Sequence, residues 1–178
     1  MSHFSVLVFG KQDDVDRLLK PYDENIEVEE YWVKKVSQTE RDEFVEFYLK
    51  ENTENRGLTF EQLYTKNGND WNGGCWIKDN QNIWSEYSTY NPQSKWDWYA
   101  IGGRWNKSIR NNECLSKSVK KDFIPFAFVD QDGLWHERAE MGWWAMTKNE
   151  KEDDIWEKEF KNALDLYNGY VTLVDCHI

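Results

Sequence analysis

Tyr170-Val-Thr-Leu-Val-Asp-Cys-His-Ile178 closes the chain, and its reading decides the fold. The run is apolar, rich in β-branched residues and preceded by Gly169, which predicts a strand. Just upstream, Thr147-Lys-Asn-Glu150 has the form of a capping box. It predicts a helix whose buried stripe is Trp156, Phe160, Ala163, Leu164 and Tyr167, stopped at Gly169. Before that, residues 123–146 read as a hairpin. Phe123-Ile-Pro-Phe-Ala-Phe-Val129 is one strand, Asp130-Gln-Asp-Gly133 the turn and Leu134-Trp-His-Glu-Arg138 the return.

The other end mirrors this order. His3-Phe-Ser-Val-Leu-Val-Phe9 is a β-rich run ended by Gly10. Asp13 and Asp14 then open a helix with Val15, Leu18, Leu19 and Tyr22 on one face, and Pro21 disturbs its end. Strand, helix, hairpin, helix, strand is the ferredoxin-like β-α-β-β-α-β order, an α+β class. It predicts one domain over residues 1–178, with strands 3–9 and 170–177 near each other inside the sheet. A long Trp-rich insertion, about residues 37–121, separates the first helix from the hairpin. Within and before it, residues 26–36 fit a strand or an extended arm. Thr39 fits an N-cap for a helix through Lys50. Thr59-Phe-Glu-Gln62 opens a shorter helix, and residues 66–95 look irregular.

The 178 residues carry 22 Lys and Arg against 33 Asp and Glu, a net charge of -11. That disfavours general binding to nucleic acid or to an anionic membrane. No apolar run approaches the roughly 20 residues of a membrane helix. The N-terminus lacks the basic segment and cleavage site of a signal peptide. Cys75, Cys114 and Cys176 form neither a disulfide framework nor a metal-type C-x-x-C pair, so a reducing cytoplasm and no metal are expected. Charge is uneven along the chain. Residues 12–61 carry 15 acids against 7 bases and residues 122–178 carry 13 against 5, while residues 93–121 carry 2 against 7, a net +5. Nine of the 11 tryptophans fall between Trp71 and Trp144, so the middle of the chain builds an aromatic core or an aromatic pocket.

The positive segment opens on Lys95-Trp-Asp-Trp-Tyr-Ala-Ile-Gly-Gly-Arg104. In an extended chain Trp96 and Trp98 share a face and Asp97 takes the other. Gly102 and Gly103 permit positive φ and can aim N–H groups at an anion. Arg104 offers a planar fork for phosphate, and Trp96, Trp98, Tyr99 and Trp105 offer faces on which a base stacks. Gly-Gly-Arg is neither a Walker loop nor a dinucleotide fingerprint, and no cofactor is implied. The alternative for the same residues is a turn whose tryptophans fill a core.

Three weaker groupings accompany it. His3-Phe-Ser5 has the form of half a two-histidine phosphoesterase, but His177 is followed only by Ile178, so the second half fails. With adjacent terminal strands, His3, Asp175, Cys176 and His177 still come near one another. His136, Glu137, Arg138 and Glu140 follow the hairpin turn, and Glu140 is a candidate to reach the tryptophan block. Cys75 has no evident base partner.

Met1-Ser-His-Phe-Ser-Val-Leu-Val8, Ser88 to Trp105, Glu140-Met-Gly-Trp-Trp144 and Val174-Asp-Cys-His-Ile178 together resemble small proteins of tailed bacteriophages and prophages. The resemblance spans both ends and the middle. It implies an accessory protein acting in the bacterial cytoplasm, often against host defence, and implies no chemistry. Three readings follow. The first is a non-enzymatic binder of a small anionic, nucleotide-like ligand through Trp96, Trp98, Tyr99, Gly102, Gly103, Arg104 and Trp105. The second is an acidic inhibitor of a host defence or nucleic-acid-binding protein. The third is a hydrolase using His3 or His177 with a carboxylate.

Overall fold

The computed structural model describes residues 2–51, 53–67, 75–141 and 146–178. Trp71, Trp143 and Trp144 lie outside the described residues. The chain divides into two compact units, Met1–Asn25 with Asn91–Ile178, and Ile26–Tyr90. Helices and sheets are mixed, as the α+β expectation requires.

The first unit is built on a six-stranded sheet. Its strands are β1 (His3–Val8), β5 (Trp98–Ile101), β6 (Glu113–Leu115), β7 (Ala127–Val129), β8 (Trp135–Glu137) and β11 (Tyr170–His177). The order is β5-β11-β1-β7-β8, with β6 also on β11. β1 pairs antiparallel with β11 along its whole length, from His3 opposite His177 to Val8 opposite Thr172. One feature departs from the ferredoxin-like order. β1 pairs in parallel with β7, the first hairpin strand, so no strand is inserted between them. The insertion is also shorter than the sequence suggests, because β5 and β6 belong to the main sheet along one edge of β11.

Alternation along β1 and β11 sends side chains to two cores. Phe4, Val6, Val8, Val174 and Cys176 pack under α1 (Val15–Leu19) with Leu18, Leu19 and Trp96. Leu7, Val171 and Leu173 pack under α4 (Asp153–Leu166) with Phe128, Trp156 and Phe160. Each of these large side chains contributes about 1.5–3 kcal/mol by leaving water. α4 begins at Asp153, later than the Thr147 box predicts, because Thr147–Lys148 is instead β10, paired with β9 (Glu140–Met141). The hairpin turn is as read: Asp130 Oδ1 accepts the N–H groups of Asp132 and Leu134, both at 2.9 Å.

The second unit packs α2 (Gln38–Glu51) and α3 (Phe60–Asn67) on a sheet of β2 (Tyr31–Lys35), β3 (Cys75–Lys78) and β4 (Trp84–Ser88). Phe44, Leu63, Tyr64, Trp76 and Trp84 form its core. Two of these strands fall where the sequence looks irregular. The missed signal is Asp79, whose carboxylate accepts the N–H groups of Gln81 and Ile83 and closes a hairpin turn. The α2 cap is Ser37 rather than Thr39: its Oγ accepts the Glu40 N–H while Glu40 accepts the Ser37 N–H. Thr59 and Gln62 form the capping box their spacing predicts.

Candidate active site

The face of the sheet that packs on α4 turns polar towards the chain ends. Alternation places His3 and Ser5 of β1 in line with Leu7, and Asp175 and His177 of β11 in line with Leu173. The register sets His3 opposite His177 and Ser5 opposite Asp175. On the far side of β11, β5 sets Trp98 opposite His177. Both chain ends thus meet the tryptophan block.

Each imidazole is held by its own carboxylate. His3 Nδ1 lies 2.9 Å from Asp175 Oδ1, and His177 Nδ1 lies 2.6 Å from Asp97 Oδ1. An ionised carboxylate only accepts, so each Nδ1 carries the proton and each Nε2 faces away from its carboxylate. No described residue bonds either Nε2. The two rings sit edge to face with centroids 5.0 Å apart. The Trp98 indole stacks on His177 at 5.5 Å and 18° and meets His3 edge-on at 5.4 Å. Trp98 is 46% exposed, whereas the histidines are almost covered.

Asp175 is 2% exposed, and its second oxygen accepts the Arg104 N–H at 2.8 Å. This explains Gly102-Gly103. Gly103 has φ +43, and a Cβ there would lie 2.3 Å from Asp175 Cβ. Only glycine lets the backbone come this close. The turn brings the Arg104 N–H onto the protein's own Asp175.

The seven residues expected to line one pocket divide between surroundings. Trp96 does not share a face with Trp98. It precedes β5, bridges to Asp23 and is buried under α1, with its indole N–H on the Leu19 carbonyl. Tyr99 points to the same core. Burial, and then its hydrogen bond to Asp16, push its hydroxyl pKa well up. Trp105 packs against the α4 core with its indole N–H buried and unbonded. Arg104 carries an exposed side chain that forms no ion pair with the described residues. Trp98 is the part that touches the histidines, and the Gly102-Gly103 turn and the Arg104 N–H touch Asp175, the partner of His3.

No family model, curated protein or solved structure matches the chain. Its chemistry has to come from its own residues.

Cys176 is buried in the α1 core, and desolvation, then Asp175, hold its thiol well above the ordinary value. Glu140 stays with Asn149 and lines an open cavity with His136 and Glu159. His136 stacks on Phe128 at 4.4 Å, with Nε2 3.1 Å from Asp130. Glu137 pairs with Lys95, and Arg138 with Glu150 and Asp153. Among the described residues no His, Cys, Asp and Glu side chains group as a metal site, and no helix is long and apolar enough to cross a membrane. Asp97 is the member that sequence reasoning placed on the wrong side. Its contact with His177 depends on β5 pairing with β11, which leaves no local signal.

Proposed function

We propose that the domain binds a small phosphorylated, nucleotide-like ligand over Trp98 and uses His3 and His177 as an acid–base pair on a phosphodiester bond within it. The observation that carries this reading is the pair of directly opposed imidazoles, each anchored at Nδ1 by a separate carboxylate. Such a pair can divide the work, with the neutral ring's Nε2 taking a proton from the attacking oxygen and the other ring, entering as the imidazolium, giving its Nε2 proton to the leaving oxygen. A half-exposed indole beside them suits a base. A buried histidine–aspartate pair is also a poor way to gain stability, since apolar residues of similar size do as well. The reading keeps the anionic ligand expected from the sequence and moves its contacts from Trp96, Tyr99 and Trp105 to the histidines. The resemblance to phage and prophage proteins makes a host nucleotide signal the first ligand class to try.

The test is a panel of linear and cyclic nucleotides followed by calorimetry and by chromatography of products. At least one phosphodiester is turned over, and His3→Ala and His177→Ala each lower the rate by about 100-fold or more. Binding without turnover removes the acid–base role, and neither heat nor turnover removes the whole reading.

A second reading is favoured by the outer face of the small sheet, where Trp32 is 58% and Ile77 43% exposed on an acidic unit. We propose it as a contact for a basic host protein. Trp32→Ala and charge reversal on α2 then abolish biological activity while His177→Ala leaves it intact.

A further inference from the structure

The histidine site leaves the basic segment of residues 93–121 largely unexplained. Of its seven bases, Lys95 is neutralised by Glu137, while Lys117, Lys120 and Lys121 form no ion pair with the described residues. These three lysines surround a cavity of about 340 Å³ between the 116–123 segment and the C-terminal half of α4. Lys161 joins them from α4, where it also pairs with Glu157. Asp165 is the one acid in the lining.

The floor is of another kind. Val119, Phe123 and Leu164 pack against the α4 core, and Phe160, 1% exposed, closes the base. The loop bearing the lysines is fixed to the sheet and helix. Ser116 donates its hydroxyl to the Tyr167 carbonyl at 2.7 Å and its N–H to the Gly169 carbonyl at 2.9 Å. The Val119 and Phe123 N–H groups return to Ser116 and Lys120. The cavity is therefore preformed and its cations are carried by a turn rather than by a loose tail.

In a chain of net charge -11, four lysines around one hollow concentrate anions locally. An inorganic anion has no use for the aromatic and aliphatic floor, and a neutral apolar molecule has none for the lysines. The volume lies at the small end of the range for organic ligands, about 300–1,000 Å³. We infer that this cavity is a binding site for a small amphipathic anion, with an aryl or short acyl body on Phe123, Phe160 and Leu164 and a carboxylate, sulfonate or phosphate head among Lys117, Lys120 and Lys121. The site does not depend on the histidine reading.

Calorimetry with 2-naphthalenesulfonate and octanoate, with neutral 2-naphthol as control, tests it. At least one anion binds saturably at one site per chain, and its affinity exceeds that of naphthol. The naphthyl and octanoyl probes separate an aryl from an acyl ligand. The double variant Lys120→Glu/Lys121→Glu, with melting temperature unchanged, weakens binding at least ten-fold, and His177→Gln does not. Chemical-shift mapping on the unmodified protein places the ligand at Val119, Phe123 and Leu164. Absence of saturable binding, binding equal in the lysine variant, or shifts elsewhere overturns the inference.

Discussion

From Val171 to Val174, β11 buries three aliphatic side chains and one threonine hydroxyl, which is bonded to the Gly10 carbonyl. From Asp175 to His177 the same strand is as deeply buried, yet carries a carboxylate and an imidazole. Val171 and Thr172 pair with β6, and Val174 to His177 with β5. The difference teaches that burial by itself does not identify a core. The apolar half is held by area removed from water, and the polar half by hydrogen bonds from Asp175 to His3 and to the Arg104 N–H and between His177 and Asp97.

The sharpest way to break the comparison is Asp175→Ala. It strands the His3 Nδ1–H and the Arg104 N–H beside a buried site, and a loss of about 3–5 kcal/mol is expected in urea unfolding. Leu173→Ala in the apolar half leaves a cavity and costs about 2–5 kcal/mol, with turnover per folded molecule unchanged. Equal effects of the two changes on turnover would erase the distinction between the halves. Trp98→Ala acts the other way. The indole is half in water, so stability changes by about 1 kcal/mol or less while ligand binding is lost. That split between calorimetric affinity and melting temperature separates a ligand platform from a packing residue.

Much of the first unit was legible in sequence because its signals are local. The terminal strands, the Asp130 turn and the stripe of Trp156 and Phe160 each need only a short window. The histidine pair was half legible: adjacency of the chain ends brings His3 to His177, but Asp97 enters through a long-range pairing. Trp96 misled because alternation was extended two residues past the start of β5, where the chain is instead tied to Asp23 and Tyr22. The Gly-Gly turn reads in sequence as a place for an external anion, and no local signal says that the Arg104 N–H beside it is taken by Asp175, 71 residues away in the same chain.

A smaller effect lies at the hairpin turn. Burial raises the Asp130 pKa, but the Leu134 N–H, His136 and the Asp132 N–H outweigh it and hold the carboxyl below its usual 3.8. A depressed carboxyl stabilises the fold fully above its unfolded value and loses that contribution as pH falls through the folded value. The urea midpoint should therefore fall below about pH 4, and Asp130→Asn should flatten that part of the profile.

The central claim is that the polar half of β11 serves chemistry rather than stability. The double variant His177→Phe/Asp97→Ala removes one imidazole with its own carboxylate, so neither partner is left buried alone. Unfolding free energy within about 1–2 kcal/mol of the parent protein, together with loss of phosphodiester turnover, is the predicted result. A loss of about 4 kcal/mol or more would contradict the claim and make the pair a structural tie between β5 and β11.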